Sequence, residues 1–294
     1  MINQSEDMRL SELVSVLWQG KWLILAVTSV LTIAALVLAL SLPNKYTASV
    51  LLAPSASAGS DALGGLAGQF GGLASLAGIN VKDNSISNAA LALEVVRSRD
   101  FISRFIAEHN VLVPLIAAKG WQWQDNTLLL DQQIYQNGRW VRDVEPPRKP
   151  EPSMQEAYDE FIELFTVTKN KDNGIVTLEV EHYSPYVAQQ WAEALVADLN
   201  LYMKHKDMQE AKDSLSYLEH ELAKTQIEEL RKALYQLIEE QTKTLMLTQV
   251  NKEYVFKTID PAVVAEQKSK PNRPLICILG MLLGSFLSCF IVLV

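Results

Sequence analysis

Two uncharged apolar runs, residues 22–42 and 275–294, bracket nearly everything else in this chain. Each is about 20 residues, the length that crosses a ~30 Å hydrocarbon core at ~1.5 Å of rise per helical residue. Both therefore read as transmembrane helices. Two spans oblige the intervening stretch, residues 43–274, to leave and re-enter the same face of the membrane, so it is expected to form one domain tethered at both ends. The first run could instead be a secretory signal peptide. Against that, Glu6, Asp7 and Glu12 outweigh Arg9 and Lys21, and the run exceeds a typical ~7–15-residue signal core. The second run resembles a removable lipid-anchor tail, but proline and basic residues replace the polar spacer such a signal needs. Arg9 and Lys21 on one side are matched by Lys45, Lys268, Lys270 and Arg273 on the other, so charge does not fix orientation.

Cys277 and Cys289 are the only cysteines, both within the second run. No disulfide can form inside the loop, which leaves its redox compartment open. A net charge of −8 argues against a nucleic-acid surface.

Residues 45–53 alternate like a strand and stop at Pro54. Residues 58–78 are Gly, Ala, Leu and Ser, with Gly64-Gly-Leu-Ala-Gly echoed by Gly71-Gly-Leu-Ala-Ser. Glycine at that density weakens a helix by about 1 kcal/mol per residue, giving a flexible loop; Phe70 and the surrounding leucines fit a close-packing surface instead. The spacing of Leu91, Val95, Ile102, Phe105 and Ile106 predicts one helix over 87–109, with the polar stretch 97–100 on its exposed side. Residues 114–152 carry Trp121, Trp123 and Trp140 with Pro146, Pro147, Pro150 and Pro152, and read as an irregular arm closed by an extended link. The tryptophans there are either anchors of a small core or a sugar-stacking platform. Ser153 and Glu156 form a capping box for a short helix to about residue 164. A turn at Lys171-Asp-Asn-Gly174 leads into a strand at 175–181.

Ser184-Pro185 supplies an N-cap and an N1 proline, after which no Gly or Pro occurs until Pro261. As one helix, 185–250 would run ~100 Å. Its apolar stripe through Trp191, Leu195, Leu199, Met203, Leu215, Leu218 and Leu222 is narrow, as in helix-on-helix packing. A second stripe through Leu230, Leu234, Leu237, Ile238 and Leu245 is offset across residues 224–226, which predicts a helical hairpin turning there. A last strand is expected at 253–259, with Tyr254, Phe256 and Thr258 on one face. The fold class is thus α+β: two transmembrane helices flanking an α/β base with a long helical arm.

No catalytic constellation emerges. His220 opens a zinc-protease-like pattern, but Lys224 stands where the second histidine is required. The other histidines, 109, 182 and 205, are scattered, and acid pairs such as Glu239-Glu240 fit a solvated helix face. The chain is expected to be no enzyme and to need no cofactor or metal.

The segment after the last strand carries Pro261, Ser269, Pro271 and Pro274, followed by Gly280 and Gly284 at GxxxG spacing within the second span. With Leu10, Leu13, Leu17, Trp18, Lys21, Trp22, Pro43, Tyr46 and Pro54 at the other end, this resembles the polysaccharide copolymerases, the Wzz-type chain-length determinants of bacterial inner membranes. Val264 departs from their usual second proline and Asn272 from a common lysine. The resemblance implies a cytoplasmic segment at 1–21, spans at 22–42 and 275–294, and a periplasmic domain at 43–274 whose base uses the first and last strands. It further implies ring-like homo-oligomers, and a role in setting the modal length of O-antigen or a related glycan made on a lipid carrier by a separate polymerase. The prolines would stiffen the exit from base to membrane; Gly280 and Gly284 would let helices approach, unless the spacing is chance. Relatives fused to a tyrosine kinase would need a Walker A loop and a tyrosine-rich tail beyond residue 294. A separately encoded kinase could instead dock on residues 1–21, making the chain a membrane adaptor. A sensory receptor would need a signalling module larger than those 21 residues.

Overall fold

The computed structural model describes residues 18, 20–55 and 88–293. The Gly-rich stretch 58–78 and the motif residues Leu10, Leu13 and Leu17 lie outside the described residues. The chain divides into two compact units, Met1–Tyr46 with Gln267–Val294, and Thr47–Glu266.

Among the described residues, the larger unit is built on a four-stranded sheet. Strand β1 (Tyr46–Pro54) pairs antiparallel with the last strand, and its alternation buries Ala48, Val50 and Leu52. Helix α2 (Asn88–Arg97) and helix α3 (Arg99–Glu108) follow, α1 being the first apolar helix (Lys21–Ser41). The single helix expected over 87–109 is thus two. Ser98 is extended (φ −69°, ψ 148°), and its hydroxyl caps α3 by accepting from the Phe101 N–H. The stretch 97–100 is therefore a joint between two helices, and Arg97, Arg99 and Asp100 are exposed there as expected. Arg97 donates to the Val167 carbonyl at 2.6 Å, and the Arg97 carbonyl accepts from the Tyr158 hydroxyl. Ser followed by an acid in the first turn is an N-cap signature that the apolar periodicity masked.

The stretch 114–152 is also more regular than its composition predicts. After a short helix α4 (Leu112–Ile116), strands β2 (Ala118–Gln122) and β3 (Thr127–Leu130) pair antiparallel, as do β4 (Tyr135–Gln136) and β5 (Arg139–Trp140). The β4–β5 turn is Asn137-Gly138, both at positive φ, the tight hairpin dipeptide favoured by strand twist.

Helix α5 (Met154–Leu164) opens at Ser153, whose hydroxyl accepts from the Glu156 N–H. The Glu156 carboxylate takes Arg142 at 2.7 Å, an ion pair with both side chains mostly shielded. Strand β6 (Phe165–Lys169), absent from the sequence reading, begins at the helix end, because Phe165 turns extended with no Gly or Pro to mark the change. Asn170 and Asn173 side chains hold the following turn, where Gly174 takes φ +70°. Strand β7 (Val176–His182) then buries every second residue. With β8 (Phe256–Asp260), the sheet order is β6-β7-β1-β8. The last strand thus starts three residues later than expected; Tyr254 and Val255 are buried before it begins. Phe105, Phe161, Phe165 and Trp191 meet ring to ring at the centre of the core.

Helix α6 (Pro185–Lys224) and helix α7 (Glu228–Val250) form the helical hairpin. The connection needs no glycine because Thr225 and Ile227 are extended at negative φ (ψ 126° and 119°). The Thr225 hydroxyl donates to the Glu221 carbonyl and so serves one orphan acceptor of the helix end. At ~1.5 Å per residue, α6 runs about 60 Å and α7 about 35 Å. The two ends of α6 differ: Trp191, Leu195, Leu199 and Met203 are buried, whereas Leu215, Leu218 and Leu222 are only half-buried.

Buried Asn200 joins α6 to the entry of β8. Its amide oxygen accepts from the Val255 and Phe256 N–H groups (2.8 and 3.0 Å), and its nitrogen donates to the Phe256 and Val196 carbonyls. Asn200→Leu strands two buried backbone donors, and is expected to destabilise the protein by about 2–4 kcal/mol. Chemical denaturation of the detergent-solubilised chain checks this; an unchanged midpoint would remove Asn200 from any structural role.

Candidate functional site

Helices α1 (Lys21–Ser41) and α8 (Arg273–Leu293) are both long and apolar enough to cross a membrane. In the smaller unit they pack against each other along a seam of small residues. A side-chain carbon at Gly280 would collide with the Ala35 methyl. One at Gly284 would sit 3.2 Å from the Thr28 Cα and 3.3 Å from the Leu31 Cβ, and one at Gly20 2.6 Å from Val292. The approaches at Gly280 and Gly284 bring backbone close to backbone, as small-residue seams permit in a medium that gives apolar helices no hydrophobic reason to associate. Thr28 and Ser288 hydroxyls lie 3.4 Å apart across the seam. Ser288 donates to the Ser285 carbonyl, which leaves Thr28 as donor to Ser288.

At one end of this helix pair the two chain crossings are tied together. Lys45 N–H donates to the Lys270 carbonyl (3.0 Å), while the Lys45 carbonyl accepts from the Ser269 N–H (2.9 Å) and the Ser269 hydroxyl (3.1 Å). The Arg273 guanidinium adds a bond to the Asn44 side chain at 3.1 Å. Asn272 caps α8: its side chain accepts from the Leu275 N–H and its carbonyl from the Ile276 N–H. Pro274 stands in the first turn, where a missing N–H costs nothing. Pro271 follows a cis peptide bond. The structure therefore gathers Ser269, Pro271 and Pro274 with Asn44 and Lys45, next to Pro43 and Tyr46. Pro261 belongs to the other unit.

Trp18, Lys21 and Trp22 lie at the opposite end of α1 from Pro43 and Tyr46. Lys21 Nζ sits 5.1 Å over the Trp18 ring, and both tryptophans are exposed, the disposition of aromatic and basic anchors at a membrane interface. The N-terminal motif residues thus form two groups, one at each end of the first span. Sequence reasoning missed Asn44, Lys45 and the capping role of Asn272. The Asn272-x-Pro274 cap signal was present; the backbone bridge at Lys45 has no sequence signature.

A second cluster also escaped notice. Asp207 on α6 is buried, accepting from the Tyr254 hydroxyl at 2.8 Å and from Asn88 at 3.3 Å. Burial pushes the Asp207 carboxyl above the usual carboxylate range, opposed in part by the Tyr254 bond and nearby Lys206. Burial and the Asp207 carboxylate push the Tyr254 hydroxyl up as well. Three sequence-distant segments, at 88, 207 and 254, meet on this one carboxyl group.

Three outside comparisons bear on these features. Residues 6–109 match the family model Wzz, "Chain length determinant protein". Residues 228–294 match the model GNVR, "G-rich domain on putative tyrosine kinase". Among solved structures, a full-length bacterial polysaccharide co-polymerase is 16% identical, with 97% of this chain and 96% of that chain covered at a TM-score of 0.38. A fragment of WzzB, a polysaccharide co-polymerase from Salmonella Typhimurium, is 14% identical, with 77% and 100% covered at a TM-score of 0.32. No curated protein matches the chain.

Two predictions follow from the packing. In a chain with Cys277 and Cys289 replaced by serine, Thr28→Cys with Ser288→Cys should oxidise to an intramolecular disulfide, and adding Gly280→Leu should suppress it. Non-reducing gels after cleavage of the intervening loop report the link; cross-linking unaffected by Gly280→Leu would contradict the close seam. For Asp207, the folded protein holds the proton more tightly than the unfolded chain does. Stability should therefore fall as pH rises from the unfolded carboxylate range through the raised folded value, and level off above it. Asp207→Asn should flatten that fall, gaining on the wild type at neutral pH and matching it in acid, as measured by denaturation across pH.

Proposed function

We propose, on the premise that this chain belongs to the Wzz-type polysaccharide copolymerase family, that it sets the modal length of a lipid-linked surface glycan without catalysing its polymerisation. In this reading the two spans lie in a bacterial inner membrane and residues 43–274 face the periplasm. A separate polymerase makes the glycan, O-antigen or a related polymer, and a ring-like homo-oligomer of this chain acts on it.

The observation that carries the reading is the tied junction at Lys45 and residues 269–273, whose first side lies within the N-terminal family match and whose second side lies within the C-terminal one, beside the motif prolines. It couples both crossings of the membrane to one rigid point, where a membrane-embedded polymerase would be touched. Ser269, Pro271 and Pro274 are proposed as its working residues, with Gly280 and Gly284 holding the spans together. Self-association is supported by the arm. Tyr217, Ile227, Leu230, Tyr235, Met246 and Val250 are exposed along α6, α7 and the connection between them, more apolar surface than a two-helix hairpin can cover by itself.

The match over 228–294 favours one alternative, a membrane adaptor that activates a separately encoded tyrosine kinase in polysaccharide export. The two readings part on one strain. Deleting the gene should abolish the preferred length on a lipopolysaccharide or capsule gel while phosphotyrosine levels stay constant. Loss of phosphotyrosine with length distribution intact would select the adaptor.

Pro271→Ala with Pro274→Ala frees two fixed φ angles at the junction, and should shift the modal length while expression stays at wild-type level. A cysteine at Ser214 should react with a membrane-impermeant thiol reagent once the outer membrane alone is permeabilised. Protection until the inner membrane is lysed would reverse the topology.

A further inference from the structure

The β2–β3 hairpin ends in a turn that presents Trp123 with 74% of its surface exposed. Exposure of an indole is unremarkable on a floppy loop, but this turn is stiff. Trp121 donates its indole N–H to the Asn126 side chain at 2.8 Å, and its ring contacts Tyr186 at 6.1 Å. Thr127 donates to the Asp125 carboxylate at 2.9 Å, and Gln122 reaches Gln124 at 3.4 Å. Asn126 sits at φ +52°, which closes the turn. The indole of Trp123 is therefore carried on a pre-ordered support, so little backbone freedom is lost when something stacks on it. The side chains beside it, Gln122, Gln124, Asp125 and Asn126, are exposed amides and one carboxylate.

We infer that this hairpin tip is a contact site for a neutral sugar ring of a polysaccharide, with Trp123 as the stacking face. The inference rests on the polysaccharide reading above. A pyranose has one face of C–H groups and a rim of hydroxyls. The C–H face lies on the indole, and the hydroxyls find both donors and acceptors in the glutamine and asparagine amides. The tip itself, residues 122–127, has one carboxylate and no cation, so it offers no counter-charge to an acidic sugar. A protein partner is disfavoured because an aromatic anchor of that kind sits within a wider packed patch, and the turn residues on either side of Trp123 are polar.

The full chain in lipid nanodiscs, labelled with 5-fluorotryptophan, tests this. The sequence has six tryptophans, and Trp123→Phe assigns the line of interest. Delipidated surface polysaccharide from the same cells should shift the Trp123 line saturably. Trp123→Ala should weaken binding of the labelled polysaccharide by roughly two- to tenfold, the equivalent of one aromatic contact, whereas Trp123→Tyr should keep most of it. Unchanged positions of the other lines confirm that the alanine variant is folded; if it is not, the line shift and the tyrosine variant decide. The proposal is overturned if the line does not move with polysaccharide, if Trp123→Ala binds as the wild type does, or if the line answers only to added lipid vesicles or to protein concentration. Gene deletion that leaves glycan length unaltered sinks the length-control reading without touching this binding shift. A static line in a protein that does control length sinks the hairpin site alone.

Discussion

Tying two distant crossings of one chain at a single point is the constraint on which the rest of the protein depends. Lys45 contributes a donor and an acceptor, residues 269 and 270 answer both, and Arg273 reaches Asn44 beside them. These are backbone and short polar bonds next to the ends of two apolar helices, where unpaired groups are costly. In the larger unit, the strand that starts at Tyr46 pairs with the strand ending at Asp260. Each unit is thus closed by joining the first part of the chain to the last.

The hairpin helices divide their energetics along their length. Near Trp191, Leu195 and Leu199 the helix α6 is part of the aromatic core, where each buried large side chain contributes about 1.5–3 kcal/mol. Beyond Ala211 its apolar positions are half-covered by α7, and only Leu234 and Thr248 of that partner are buried. The distal hairpin is therefore the less stable part, and gains most from a neighbouring surface.

Much of this was legible in the sequence wherever a local physical rule had no competitor. The apolar runs, the Ser153 and Ser184 caps, the hairpin break near residues 224–226 and the turn at Gly174 are all set by neighbours in sequence. Ser98 was misread because apolar spacing continues across it, hiding a cap within a pattern that suggests one helix. The strand Phe165–Lys169 begins without punctuation, and the small hairpins were obscured by the prolines and tryptophans around them, although Asn137-Gly138 signals one of them. The Lys45 bridge and the Asp207 cluster were not legible at all. Their partners are 224, 119 and 47 positions apart, and no local rule reaches that far.

The same separation has a consequence for biogenesis. The Ser269 hydroxyl and the Lys45 carbonyl meet across 224 positions, and Ser55 meets Tyr254 across 199. With translation at ~5–20 residues per second, the first strand emerges roughly 10–40 s before its last partner is made. Through that interval its open edge has no ladder on the side that β8 will occupy, which is the kind of edge another chain can borrow. Lys45, the charged residue just before the strand, disfavours such pairing, and the preceding apolar helix, long enough to cross a membrane, holds the nascent segment there until the C-terminal strand arrives.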